Sequence, residues 1–552
     1  MLPRVPHLTA ALLVATAATA ATAARLPAQL PTQLPTQPPT QPPAQPAPVP
    51  PPDSLLASVR AYRAAHGGAI LRELAGLLAI PNLATDSANI RRNAAALVTM
   101  LERRGVRARL LDGAGGPPAV YGELQVPGAT RTVVLYAHYD GQPVDTAQWA
   151  TPPWKPVLRD RAGEGARAIP LPTADVVDPR ATAEWRLYAR SASDDKAPIV
   201  AMLAALDALK AARAQPSVNV KFFFEGEEEA GSPHLRRVLE QNAALLAADA
   251  WVFADGPVHQ TGRQQVVFGV RGTMGLELTT YGPARALHSG HYGNWAQNPI
   301  VLLARLIASM RTDDGRITIT GFYEKVRPPT VAERQAVLAS PPVDAALRYS
   351  LGLNRSEAGA LLAERIMLPA LNVRGFQGGN VGALAANAIP TEARASIDFR
   401  LVPVQTPEEV RALVERHAQA QGFYVVHDSV TLDFRRAHSK VLRMEWEGGY
   451  PGIRTPMELP VSQAVLRVVR QAAGGSSDSV VTAPTLGGSL PMYHFSDVLK
   501  VPLIVLPTVN YDNNQHAANE NVRVGNLWQA IDVFATLMAR LGPEWREERK
   551  TT

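Results

Sequence analysis

Histidine and carboxylate meet at five points of the chain: His138-Tyr-Asp140, Asp194-Asp-Lys196, Glu225-Gly-Glu-Glu-Glu229, Asp255-Gly-Pro257 and Asn513-Asn-Gln-His516. Each has an ordinary explanation when taken alone. A His-x-Asp is usually a surface pair, a glutamate run a solvated face, and Asp-Asp-Lys a helix start where acids complement the helix dipole. Their conjunction implies more. Glu227 to Glu229 come directly after Phe222-Phe-Phe224, so stacked carboxylates end a buried strand, where their repulsion needs a compensating cation. The sequence contains no cysteine, which excludes thiol catalysis and thiolate ligands. Any metal must then be held by histidine and carboxylate, the donor set of zinc or manganese in catalytic sites.

The elements that must position these residues read as an α/β pattern. Helices are expected over Ser54 to Ala79, Asn89 to Gly105, Ala197 to Ala212 and Asn526 to Leu541. Short buried-type strands are expected over Arg131 to Ala137, Ser217 to Phe224, Ala250 to Ala254 and Val501 to Leu506. Strands alternating with helices indicate a sheet covered on both faces, and in open α/β sheets ligands bind beyond the carboxyl ends of strands. His138, Glu225 and Asp255 fall at such ends, and His516 follows the last one. A different stretch lies between: Gln265 to Tyr281 alternates like one edge strand, Gln297 to Met310 is helical, and Ala393 to Leu401 is again a strand. This predicts an inserted α+β domain over 269–448, dividing the first domain into 54–268 and 449–552. The Pro-, Gly- and Arg-rich stretch Arg161 to Ala183 reads as a loop.

The 552 residues suit two domains, and the hydrophobic fraction of 46% is ordinary for a folded chain. The formal charge of +6 is small, with no basic stripe, so nucleic acid is excluded as a partner. Met1 to Ala23 carries Arg4 and His7, an apolar run from Leu8, and Ala21-Thr-Ala23, the pattern of a cleavable signal peptide. This predicts a periplasmic or secreted protein with no membrane span once the signal is removed. Residues 24–53 hold the repeat Leu30-Pro-Thr-Gln33, Leu34-Pro-Thr-Gln37, a polyproline II spacer.

From Ser54 to Leu541 the sequence resembles the cocatalytic-metal peptidases: carnosinases, bacterial dipeptidases, aminoacylases, succinyl-diaminopimelate desuccinylase and glutamate carboxypeptidase. The motifs carrying the resemblance are His138-Tyr-Asp140, Ser193-Asp-Asp-Lys196, Glu225 to Ser232, Asp255 with Arg271-Gly272, and His516. Leu287-His-Ser-Gly290, Asn387-Ala-Ile-Pro390 and Arg400-Leu-Val-Pro403 add to it. The resemblance implies a three-layer zinc-peptidase-like catalytic domain with a smaller inserted lid that serves as the dimerisation domain. It implies two divalent ions, zinc by preference with manganese or cobalt as alternatives. His138 and Asp255 would hold one ion, Glu229 and His516 the other, and Asp194 would bridge them about 3.5–4 Å apart, sharing one hydroxide. Asp140 would orient the His138 ring, and Glu228 would be the general base. His288, often supplied by the neighbouring subunit, would donate to the oxyanion. Arg400 would hold a substrate carboxylate, with Asn387, Gly488 and Ser489 completing the substrate site. The resemblance also implies a cis Asp194–Asp195 peptide bond.

The implied reaction is cleavage of a short peptide, with N-acyl amino acid deacylation as the alternative. Two departures from the family pattern bear on it. Ser191 and Ala197 stand where glycine is usual. Leu486 replaces the acidic residue that precedes Gly487-Gly-Ser489 in dipeptidase-like members, which leaves room for blocked substrates. The Asp-Asp-Lys and Glu-Gly-x-Glu-Glu wording nevertheless stands closer to the dipeptidase branch. A non-catalytic binding module would have lost a ligand or the base, and all are present. An adhesin would explain only the proline-rich segment.

Overall fold

The computed structural model describes residues 51–546. The stretch read as a signal peptide and nearly all of the proline-rich spacer lie outside the described residues. An eight-stranded sheet runs in the order Arg107–Leu111, Ala119–Leu124, Asn219–Glu225, Thr132–His138, Ala250–Phe253, Leu503–Val505, Gln264–Val267, Val480–Ala483. Its four central strands, Asn219–Glu225 through Leu503–Val505, are mutually parallel, so their carboxyl ends share one edge. These strands are buried on both faces, which is why they read as unbroken apolar runs. Helices Pro52–Leu78, Lys196–Ala211, Pro460–Ala472 and Val524–Glu544 pack with one face of the sheet in the largest apolar cluster. The other face carries Leu235–Gln241 and Met492–Leu499, with Phe223, Trp251, Phe253 and Phe495 stacked between.

A second, five-stranded sheet is drawn wholly from residues between Gly272 and Tyr450: Ala370–Gln377, Glu392–Leu401, Gly272–Tyr281, Val441–Tyr450, Tyr424–Val426. Helices Pro299–Met310 and Pro407–Ala420 pack on it and close a separate apolar cluster. The single alternating strand expected over Gln265 to Tyr281 is in fact three. Gln264–Val267 belongs to the large sheet, Gly269–Val270 pairs with Ile453–Arg454, and Gly272–Tyr281 enters the second sheet. The chain breaks there because Gly272 lies against backbone. A Cβ on it would sit 2.2 Å from the Tyr450 carbonyl oxygen. Arg161 to Ala183 is also more ordered than expected. Ala168–Ile169 pairs with Val157–Arg159 at the edge of a small sheet completed by Arg186–Tyr188 and Asn521–Arg523.

Candidate metal and catalytic centre

The carboxyl edge of the parallel strands carries the site. His138 ends its strand, Glu225 ends the neighbouring one and leads into a turn over Glu228–Ala230, and Asp255 lies two residues beyond Phe253. Asp194 arrives from the loop before helix Lys196–Ala211, through a cis Asp194–Asp195 bond, and His516 from the loop after Leu503–Val505.

The five expected ligands converge. His138 Nε2 is 2.8 Å from Asp194 Oδ1 and 3.8 Å from Asp255 Oδ2. His516 Nε2 is 3.1 Å from Asp194 Oδ2 and 3.4 Å from Glu229 Oε2. Asp194 thus turns one oxygen to each histidine. Two groups fit an ion, His138 with Asp194 and Glu229, and His138 with Asp195 and Asp255. Asp195 carries no role in the sequence reading. It is fully buried, takes the His138 backbone N–H on Oδ2, and leaves Oδ1 without a partner.

The charge balance fits cations. Burial pushes the Asp255 carboxyl up to about 7 and Glu229 up to about 8, in both cases with repulsion from Asp194 behind it. Burial raises Glu228 and Asp195 well above the usual carboxylate range. Burial opposes ionisation of Asp194 too, but hydrogen bonds with His138 and His516 hold it low. The same hydrogen bond to Asp194 lifts His516 to about 9. Asp194, Asp195, Glu228, Glu229 and Asp255 stand against two imidazoles, an excess of negative charge that a pair of divalent ions would neutralise.

Asp140 does more than expected. Its Oδ1 lies 3.3 Å from His138 Nδ1, and its two oxygens also accept the backbone N–H groups of Glu228 at 3.1 Å and Glu229 at 3.0 Å. Ser191, where the resembled family has glycine, adopts φ 61, in the left-handed region that glycine enters freely. Its hydroxyl accepts from Asn82 at 2.8 Å and donates to the Asp140 carbonyl at 3.3 Å, which holds the residue there.

Arg400 and Ser489 also meet: Arg400 Nη1 donates to Ser489 Oγ at 2.7 Å, and its Nε is 3.3 Å from Asp398. The Gly488 carbonyl accepts the Arg271 backbone N–H at 3.2 Å. His288 and Asn387 lie elsewhere. They lie near each other, both exposed: His288 ends the segment Leu287–His288 that pairs with Ala388–Ile389, and Asn387 directly precedes the latter, its carbonyl accepting from the Ser289 N–H. Among the described residues no hydrogen bond or ion pair joins either to the carboxylate cluster.

Two further residues escaped the sequence reading. Glu520 is fully buried and binds the backbone around Asp194. Gln142 donates to Glu229 Oε2 at 2.7 Å. Glu520 could have been noticed as an acid four residues after His516; nothing in the sequence marks Gln142.

Fold and site together define a metallopeptidase, and comparison with known proteins agrees. The profile of Peptidase family M20/M25/M40 matches residues 134–540, and the chain belongs to that family, in its dipeptidase-like branch. It is 25% identical over 450 residues to the Cys-Gly metallodipeptidase dug1 of Schizosaccharomyces pombe, covering 80% of this chain and 87% of the relative. It is 24% identical over 516 residues to the Beta-Ala-His dipeptidase of Homo sapiens, covering 89% and 94%. In structure it is similar to the M20 family metallo-carboxypeptidase Sso-CP2 from Sulfolobus solfataricus, with a TM-score of 0.69, 28% identity, and coverage of 86% and 99%. The expected periplasmic or secreted location is corrected by these relatives. The yeast Cys-Gly metallodipeptidases are cytosolic enzymes, which conflicts with that location. No helix among the described residues is long and apolar enough to cross a membrane.

Proposed function

We propose that this protein hydrolyses the amide bond of dipeptides, using two divalent ions held by His138 and Asp255 on one side, Glu229 and His516 on the other, and Asp194 between. The observation that carries the reading is the division of Asp194, with Oδ1 toward His138 and Oδ2 toward His516. When bound, the ions, zinc or, with the same nitrogen and oxygen donors, manganese or cobalt, would supply Lewis-acid polarisation of the scissile carbonyl and make water nucleophilic near neutral pH. Glu228 takes the proton from the attacking water and delivers it to the leaving amine, so that water and amide become carboxylic acid and amine. Without the ions, burial holds the Glu228 carboxyl well above the usual carboxylate range. Asp140 pins the Glu228 backbone and orients His138. Arg400, held by Ser489 and Asp398, faces the substrate carboxylate, with Gly488 in the same loop.

His288 and Asn387 complete the site of a second copy in a homodimer formed through the inserted domain. Their exposure and their separation from the cluster within one chain support this. An inserted domain over about 269–448 is supported by a second sheet drawn wholly from Gly272 to Tyr450, whose strand Val441–Tyr450 runs two residues past 448. A second reading, N-acyl amino acid deacylation, is favoured by Leu486 at the mouth of the 486–489 loop. The test is metal-reconstituted enzyme assayed on Gly-Ala and N-acetyl-alanine, with Glu228→Gln as control. Gly-Ala turnover that Glu228→Gln abolishes supports the proposal, and undiminished turnover by that variant refutes it.

A further inference from the structure

A cavity of about 640 Å³, within the range that holds small-molecule groups, begins at Pro257, two residues along the chain from Asp255; no side chain of the carboxylate cluster lines it. It is walled on one side by the catalytic sheet's loops and on the other by the excursion between helix Pro299–Met310 and strand Ala370–Gln377. Two links tie it to the reaction centre. Pro257, in its wall, is two residues from Asp255. Leu486, also in its wall, starts the four-residue loop whose other end, Ser489, bonds Arg400. Leu486 also approaches the main chain next to Asp255: a Cβ on Gly256 would lie 3.9 Å from Leu486 Cδ2. One end of the loop therefore meets the proposed carboxylate clamp, and the other end meets the cavity.

The walls are apolar, with Pro257, Val258, Leu486, Ile366 and Met367 prominent. The only acidic side chain in the lining, Asp344, is spent on the Leu362 backbone N–H at 2.7 Å. The charged group is Arg271. Its Nε donates to the Gly487 carbonyl at 2.8 Å, and no carboxylate lies within ion-pair reach of it among the described residues. Burial, reinforced by Arg400, lowers its pKa to about 10. An ammonium group entering the cavity would meet the Arg271 cation and a single carboxylate, Asp344, one oxygen of which already accepts the Leu362 N–H. A carbonyl oxygen would meet a donor.

We propose that this cavity is the specificity pocket for the acyl side of the scissile bond, and that it takes an uncharged apolar group. That group is either the side chain of an N-terminal residue or an aliphatic acyl chain. The inference rests on the hydrolase reading above. The test measures kcat/KM of the metal-reconstituted enzyme on Gly-Ala, Leu-Ala, Phe-Ala and Lys-Ala, and on N-acetyl- and N-hexanoyl-alanine. Leu-Ala and Phe-Ala are expected to exceed Gly-Ala and Lys-Ala at least tenfold, and hexanoyl- to exceed acetyl-alanine. Whichever series is faster identifies the source of the apolar group. Ile366→Trp, which fills the cavity, should cut the Leu-Ala to Gly-Ala ratio at least tenfold, while Ile366→Ala should shift preference toward Phe-Ala. Cleavage of Gly-Ala with no gain for larger apolar groups, or with Lys-Ala preferred, overturns the pocket and leaves the hydrolase reading standing. No cleavage of any substrate overturns both.

Discussion

Glu520 offers a sharp test of how the bridging aspartate is held. Its side chain is fully buried, and its carboxylate takes five hydrogen bonds. Oε1 accepts from Ser193 N at 2.9 Å, Ser193 Oγ at 2.8 Å and Asp194 N at 2.9 Å. Oε2 accepts from Arg190 Nη1 and Ser191 N, each at 2.8 Å. Glu520→Gln keeps the shape but replaces one oxygen by an amide that can only donate. Turned the less damaging way, that amide faces Arg190 and Ser191. Two hydrogen bonds to a charged acceptor are lost, at about 1.5–3 kcal/mol each. The Arg190 guanidinium, 2% exposed on its side chain, is left without its anion, a break that costs about 3–5 kcal/mol in buried pairs. The two figures share the Arg190 bond and do not add, so the expected loss is about 3–5 kcal/mol. Urea unfolding of the metal-free protein at pH 7.5, followed by tryptophan fluorescence, measures it. Burial favours the protonated acid at Glu520 and Arg190 opposes it. A loss below about 1 kcal/mol would mean the acid is protonated in the fold, and the reasoning from an ionic hub would fail.

Other outcomes follow from the same geometry. Glu228→Gln should lower kcat by about 10²–10⁴-fold with bound metal unchanged by mass spectrometry; a variant that loses metal would make Glu228 a ligand instead. Arg400→Ala should raise KM for Gly-Ala about tenfold or more, since a charge-assisted contact is worth about 1.5–3 kcal/mol, with a smaller effect on kcat. Dialysis against a chelator should abolish activity and lower Tm, and zinc should restore both. Glu225, whose two oxygens accept from Tyr136 and Ser232, is raised by burial to about 8, above its ordinary 4.5. The folded state keeps a proton that the unfolded chain releases, so this stabilising contribution is full below about pH 4.5 and lost as pH rises toward 8. Urea midpoints from pH 5 to 8 should therefore fall less steeply for metal-free Glu225→Gln than for the wild type.

The parallel core and the acids and histidines at its carboxyl edge were legible because burial on both faces writes each strand as an apolar run, and these residues begin where the run stops. Phe222-Phe-Phe224 followed by glutamates is the clearest case. What did not show was anything that depends on contacts across the chain. The break of Gln265 to Tyr281 into three strands is imposed by the close approach of Gly272 to Tyr450, which no local periodicity reveals. The strand in Arg161 to Ala183 is only two residues long and exists through its partner Val157–Arg159. Asp195 looks like the first-turn acid of a helix, and only the fold shows its oxygen buried without a donor. The export reading rested on the order of Arg4, an apolar run and Ala21-Thr-Ala23, and such a pattern does not by itself fix a compartment.

The adjacent glutamates show why the turn matters as much as the ligands. The Asp140 carboxylate accepts both the Glu228 and the Glu229 N–H, and the same group faces His138. One side chain therefore holds the turn and faces a histidine across two neighbouring strands. With its backbone held, Glu229 reaches His516 at 3.4 Å and is tied from behind by Gln142. Glu228 has no such tether among the described residues, and its half-buried carboxylate is left in an anion-rich site with no hydrogen bond to another described residue. In the proposed reaction the tethered carboxylate would hold a cation, whereas the untethered one would exchange a proton and turn between water and leaving group. Placing the two side by side on one pinned turn separates holding from proton transfer, which is the division of labour that amide hydrolysis at a metal pair requires.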